Sequence, residues 1–366
     1  QGRGSLQESR EGVADCFSPS GFAMTVGASP SRPGPADCFS PSAFAMTTVA
    51  LPSLRGPQGR GSLWPQRLLW ALLLSFVTFH TQAQTPPQTP PQNLVATPLN
   101  IPSLDAPQGQ PVQLPSFWFP SAQVAPGVKA PAMVLLHGCA GIYTSRDRQL
   151  VVRMREYAAK LNEWGIHVLV TDSLTPRGEK ELCTQREAGR KVNQAQRRRD
   201  ALGALQWLAQ QPGVDAQRLG LMGWSNGGST VLAATNAMHH EVMAAPLKPS
   251  LAVLYYPGCL ADLRAGYQPV APALMQVGEA DDWTPAEHCK NLASRFQDPA
   301  KAQITLVSYE GAHHGFDGPG PVVHRKDVPN GKYPGSGVHV GGNPAARAMS
   351  FERLEAFLRA QWKLAP

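Results

Sequence analysis

The sequence lacks several features that would settle its class at once, and each absence excludes something. The apolar run at Leu68–Phe79 is twelve residues, short of the ~20 that a membrane-spanning helix needs. There is no H-E-x-x-H pair, no spaced Cys/His ligand set and no phosphate-cradling glycine loop, so neither a metal nor a nucleotide cofactor is expected. Strong charge is also missing. Of the formal +7, residues 1–83 hold six basic against four acidic residues, a share of +2 that leaves +5 for the rest. Arg197, Arg198 and Arg199 form the densest basic run, but no aromatic recognition motif interleaves it. It reads as the solvated face of a helix, and no nucleic-acid partner is expected.

What is present is a chain of 366 residues, 42% of them hydrophobic, enough for one large domain or two smaller ones. Residues 1–63 are rich in Gly, Ser and Pro and show no sustained apolar period. They also repeat themselves: Ala14-Asp-Cys-Phe-Ser-Pro-Ser returns at Ala36, and Gln1-Gly-Arg-Gly-Ser-Leu returns at Gln58. Two copies are too few for a solenoid. With a first residue of Gln1, the region reads as an over-extended frame, outside the fold. Residues 64–83 then combine Arg67, the twelve-residue apolar run and Thr81-Gln-Ala83, the pattern of an export signal cut after Ala83. Residues 84–110, beginning Gln84-Thr-Pro-Pro, read as a Pro-rich linker. An exported protein, periplasmic or secreted, is expected.

From residue 111 to 366 short apolar runs alternate with amphipathic stretches, the signature of a mostly parallel, doubly wound α/β sheet with helices on both faces. The expected strands are Met133–Leu136, Ile166–Val170, Arg218–Gly223, Leu251–Tyr255, Ala273–Val277 and Ile304–Val307. Helical spacing recurs near 147–163, 190–210, 226–239, 285–297 and 345–361. At the end of the Arg218 strand stands Gly223-Trp-Ser-Asn-Gly227, a G-x-S-x-G match between an apolar strand and a helix. A Ser on such a tight turn holds its hydroxyl clear of the sheet, which makes Ser225 the candidate nucleophile. A base and an acid should follow in the order Ser, acid, His. Gly278-Glu-Ala-Asp-Asp-Trp-Thr-Pro285 and Tyr309-Glu-Gly-Ala-His-His-Gly-Phe316 supply them after two later strands.

These motifs, with His137-Gly-Cys-Ala-Gly141, resemble the dienelactone hydrolases, a branch of the α/β hydrolases, over residues 110–362. The resemblance implies Asp281 as the acid, with Asp282 as runner-up, and His314 as the base, with His313 as its neighbour. It also implies an oxyanion hole from the backbone N–H groups of Cys139 and Asn226. Well-known members use Cys as nucleophile and hold a substrate carboxylate with an Arg shortly after the catalytic His. This chain has Ser225, and after Phe316 no Arg occurs until Arg325. A simple ester or lactone is therefore the expected small-molecule substrate, with Arg177, Trp224 and Trp283 as candidate contacts. A peptidase, an acyltransferase or an inactive exported binding protein are the alternatives on the same fold.

Residues 317–343, leaving directly from His314, are too long for an ordinary connection and read as an active-site cover or a disordered insertion. Export also bears on Cys139, Cys183, Cys259 and Cys289, an even number in an oxidising compartment. Three pairings exist. Strand adjacency favours Cys139 with Cys183 and Cys259 with Cys289.

Overall fold

The computed structural model describes residues 94–298 and 303–364. The repeats, the expected export signal and the start of the expected linker lie outside the described residues. Eight strands form one sheet in the order β1-β2-β4-β3-β5-β6-β7-β8. They are β1 (Thr97–Pro102), β2 (Gln113–Phe119), β3 (Ala130–Leu136), β4 (His167–Thr171), β5 (Val214–Trp224), β6 (Leu251–Tyr255), β7 (Ala273–Gly278) and β8 (Ile304–Tyr309). β3 to β8 pair in parallel, while β1, β2 and the β2–β4 pair are antiparallel. This is the expected α/β-hydrolase sheet, with all six expected strands in place.

The expected linker is corrected at its C-terminal end, because β1 lies inside it and pairs along its whole length with β2. Its side chains alternate exposed and half-buried around a fully buried Ile101, a pattern that the prolines at 98 and 102 mask in the sequence.

Strand geometry divides β3 between two cores. Ala132, Val134 and Leu136 face α2 (Gln194–Ala209), α3 (Asn226–Thr235) and α6 (Ala286–Ala293), while Met133 and Leu135 face α1 (Val152–Glu163) and α7 (Pro344–Trp362). Two short helices, α4 (His240–Ala244) and α5 (Leu260–Ala265), complete the set. Among the described residues no helix is long and apolar enough to cross a membrane.

The basic run is also corrected. Asn193 and Gln196 close a capping box at the start of α2, and this rotation turns Arg197 and Arg198 inward. Arg197 is fully buried, giving hydrogen bonds to Asn226 Oδ1 and, at 2.7 Å, to the carbonyl of His137. Arg198 and Arg199 both hold Glu241, and Arg199 also reaches Asp105 at 3.1 Å. Arg197 and Arg198 are thus withdrawn from solvent, while Arg199, its side chain 37% exposed, keeps a solvated position on the helix.

Candidate active site

Three loops at the carboxyl ends of β5, β7 and β8 converge, as expected for a sheet of this kind. Ser225 joins β5 to α3 with φ 55° and ψ −119°, a strained conformation for a residue with a side chain. The flanking glycines make the turn sterically feasible: a Cβ on Gly223 would stand 2.3 Å from the Gly227 carbonyl oxygen, and one on Gly227 2.0 Å from that of Leu136. The Ser225 backbone N–H donates to the Tyr255 carbonyl at 2.9 Å, which fixes the turn against β6.

The Ser225 hydroxyl lies 2.9 Å from His314 Nε2, and His314 Nδ1 lies 2.8 Å from Asp281 Oδ2. Asp281 and His314 are buried, and Asp281 Oδ1 accepts the backbone N–H groups of Trp283 and Thr284, each at 2.8 Å. Thr284 Oγ1 donates to Asp281 Oδ2 at 2.9 Å and lies 3.1 Å from His314 Nδ1. Tyr256 and Trp283 flank the imidazole, each with its ring centre 4.6 Å away. Asp282 points elsewhere, onto His339. The three residues singled out in the sequence are thus in one hydrogen-bonded line.

The loop after β3 passes beside Ser225: a Cβ on Gly138 would touch the Trp224 carbonyl at 3.4 Å and Ser225 Cβ at 3.6 Å. Cys139 lines the cavity next to the hydroxyl, and Asn226 opens α3, where first-turn N–H groups have no acceptor within the helix. A disulfide joins Cys139 to Cys183, and a second joins Cys259 to Cys289, with Cα separations of 5.0 and 5.1 Å. Leu182 N also donates to the Cys139 carbonyl at 2.7 Å, so the loop has two anchors. Arg197 spans the ground behind, tying the Asn226 side chain to the His137 carbonyl. Burial brings its guanidinium down to about 10, still charged at neutral pH.

The cavity has a volume of ≈ 330 Å³ and includes Val151, Met154, Trp224, Trp283 and Val340 in its walls. Trp224 and Trp283 therefore reach it, although Trp224 is almost wholly buried. Arg177 does not. It is drawn between Asp105 and Asp200, at 2.7 and 2.8 Å, and also donates to the Ser173 carbonyl. Two buried carboxylates compete for it far better than a solvent-facing loop position would.

Asp317 stands in no motif that marks it in the sequence. It is fully buried and accepts from Arg153 at 3.0 and 3.1 Å, Tyr157 at 3.0 Å, Tyr256 at 2.6 Å and Trp224 Nε1 at 3.1 Å. Burial pushes its carboxyl up, but Arg153 and the tyrosine hydroxyls outweigh that and leave it below the ordinary range. It fastens the segment after His314 to the residue before Ser225.

Residues 317–343 are ordered rather than a disordered insertion, and Asp317, Gly318, Pro319, Arg325 and Val340 line the cavity. The segment contains an antiparallel pair, β9 (Val323–Arg325) and β10 (Val338–Val340), and β10 is bridged to His314 at Val340.

The sequence pattern of the dienelactone hydrolase family matches residues 120–361. No curated protein matches the chain. Among solved structures, a candidate dienelactone hydrolase from Klebsiella pneumoniae subsp. pneumoniae MGH 78578 is similar at 17% identity and a TM-score of 0.50, over 72% of this chain and 98% of that one. Apo esterase 2 from Thermogutta terrifontis is similar at 20% identity and 0.51, over 77% and 98%; that esterase has also been solved phosphorylated by paraoxon. Porphyromonas gingivalis dipeptidyl peptidase 4 is similar at 16% and 0.50, over 72% of this chain and 35% of its own.

Proposed function

The chain belongs to the dienelactone hydrolase family, a family of ester-bond hydrolases on the α/β-hydrolase fold, and from that premise we propose that it cleaves carboxylic esters with Ser225, His314 and Asp281 as its catalytic triad. The observation that carries this reading is the unbroken line from the Ser225 hydroxyl through both imidazole nitrogens to the buried Asp281. His314 Nε2 takes the hydroxyl proton as Ser225 attacks the ester carbon, and Asp281 holds the other nitrogen's proton and steadies the imidazolium. The backbone N–H groups of Cys139 and Asn226 receive the oxyanion, each such donor typically lowering the barrier by about 3 kcal/mol. His314 returns the proton to the leaving alcohol, then activates water to release the acyl group from Ser225.

The cavity walls favour an uncharged acyl group. Arg153 and Arg325 reach the cavity, but Arg153 is held by Asp317 and Arg325 by Asp327. At Arg153 a substrate carboxylate would have to displace the fully buried Asp317, whereas Arg325 is only weakly offset by the exposed Asp327. Export, with the mature chain beginning near Gln84, is the setting in which both disulfides are stable.

Chromogenic esters of graded acyl length test the proposal. Wild type turns over short neutral esters faster than carboxylate-bearing ones, Ser225→Ala loses at least ~10³-fold in kcat, and paraoxon adds one phosphoryl group, at Ser225. Equal turnover by wild type and Ser225→Ala would end the triad assignment.

A further inference from the structure

Beside the triad, titratable side chains from three separate elements meet at the base of the β9–β10 hairpin. Asp282 comes from the loop after β7, His313 from the loop after β8 and His339 from β10. One donor atom from each lies within 4.8 Å of the others. Asp282 Oδ1 accepts the His339 backbone N–H at 2.8 Å, and Oδ2 lies 2.7 Å from His339 Nδ1. The His313 ring centre is 5.5 Å from that of His339, and His313 Nδ1 is buried without a hydrogen-bond partner. A third imidazole, His324, is the cross-strand neighbour of His339 and stacks on it at 4.7 Å.

An imidazole nitrogen shut away from water and protein partners is an uncompensated acceptor or donor, and such groups call for an explanation. Here the missing partner has a natural chemical form. Two imidazoles and one carboxylate within 4.8 Å of one another are the donor set of a borderline divalent ion, with a fourth position left for water. We propose that Asp282, His313 and His339 bind one divalent transition-metal ion of the zinc type.

The ion takes the place of the proton between Asp282 Oδ2 and His339 Nδ1, and the neutral His339 ring keeps its proton on Nε2. A ring-nitrogen lone pair of His313 supplies the third bond. Tetrahedral zinc donors at 2.0–2.1 Å stand roughly 3.3 Å apart, so the Asp–His pair opens slightly and His313 closes in. Asp282 and His339 side chains, 26% and 45% exposed, have room for that adjustment. No linear motif announces the site because 57 residues separate Asp282 from His339.

The location gives the ion a task. Asp282 adjoins Asp281, His313 adjoins His314, and β10 is already linked to the base through Gly341 N–H and the His314 carbonyl at 2.9 Å. An ion at this spot clamps the cover hairpin onto both loops that position the imidazole.

Tag-free, disulfide-bonded protein titrated with ZnCl2 in a calorimeter tests the site, with Co2+ ligand-field absorption as a second readout independent of ester hydrolysis. One ion per chain is expected, with a tetrahedral Co2+ spectrum and slower proteolysis within 317–343 when Zn2+ is present. His313→Gln and His339→Ala each weaken binding at least ~10-fold, while the surface control His240→Ala does not. His313→Gln removes a nitrogen with no partner, so its fold is retained and its result stands even where His339→Ala is unstable. Absence of saturable Zn2+ binding, or binding unchanged in His313→Gln, would overturn the site and leave the esterase reading untouched.

Discussion

Asp262, in the first turn of α5, accepts from Asn236 Nδ2 at 3.3 Å, and burial pushes its carboxyl from an ordinary 3.8 up to about 6. The folded state therefore holds this proton more tightly than the unfolded chain. Its contribution is fully present below pH ~3.8 and is lost as pH rises through about 6. Asp262→Asn keeps an acceptor for Asn236 and removes the ionisation, so it should stabilise the protein by about 2–3 kcal/mol at pH 7.5. Urea unfolding at pH 7.5 and pH 4 checks this: the gain should shrink towards zero at pH 4, and an equal gain at both would refute the ionisation account. At this same scale Ser225, Asp281 and His314 were legible because each sits in a short motif whose local geometry is dictated by its neighbours. Asp317 was not, since its partners Arg153, Tyr157, Trp224 and Tyr256 lie 61 to 164 residues away in sequence. The partners that draw Arg177 away from the cavity are hidden for the same reason, its carboxylates being 72 and 23 residues distant.

Among the elements, the parallel strands were readable because burial on both faces makes them continuous apolar runs, as in the fully buried β3, β4, β6 and β7. The antiparallel β1 and β2 alternate and carry prolines, so β1 reads as linker and β2, inside the catalytic region, does not stand out as a strand. The cover could be located but not described, because its order depends on contacts such as Lys332 N–H to the Asp282 carbonyl at 2.8 Å. The disulfides separate stability from activity. Sequence separations of 44 and 30 residues place each at about 4 kcal/mol in the chain-entropy picture. Cys139→Ser with Cys183→Ser, and Cys259→Ser with Cys289→Ser, should both lower the melting temperature. Only the first pair should also lower kcat, by ~10-fold or more, because only it anchors a proposed oxyanion donor. Equal kcat losses in the two double variants would contradict that role.

For the molecule as a whole, β1 and the turn after it are structural. Ser103 Oγ donates to Asp200 at 2.5 Å, and Asp105 neutralises both Arg177 and Arg199. Breaking such a buried pair destabilises by about 3–5 kcal/mol. A chain of residues 84–366 should therefore melt cooperatively and elute as a folded species, whereas residues 111–366 should unfold or aggregate under the same conditions. Comparable melting of both would show β1 to be dispensable. The prolines of β1 have one more effect, on how molecules meet one another. N–H groups two residues apart point the same way along a strand, so Pro98, Asn100 and Pro102 share one edge, and proline cannot serve the β2 ladder. That edge is the outer one, and two of its three positions offer no donor. A second chain seeking to lengthen the sheet from this side finds no continuous ladder, and among the described residues extension of the eight-stranded sheet is left to β8 at the opposite rim.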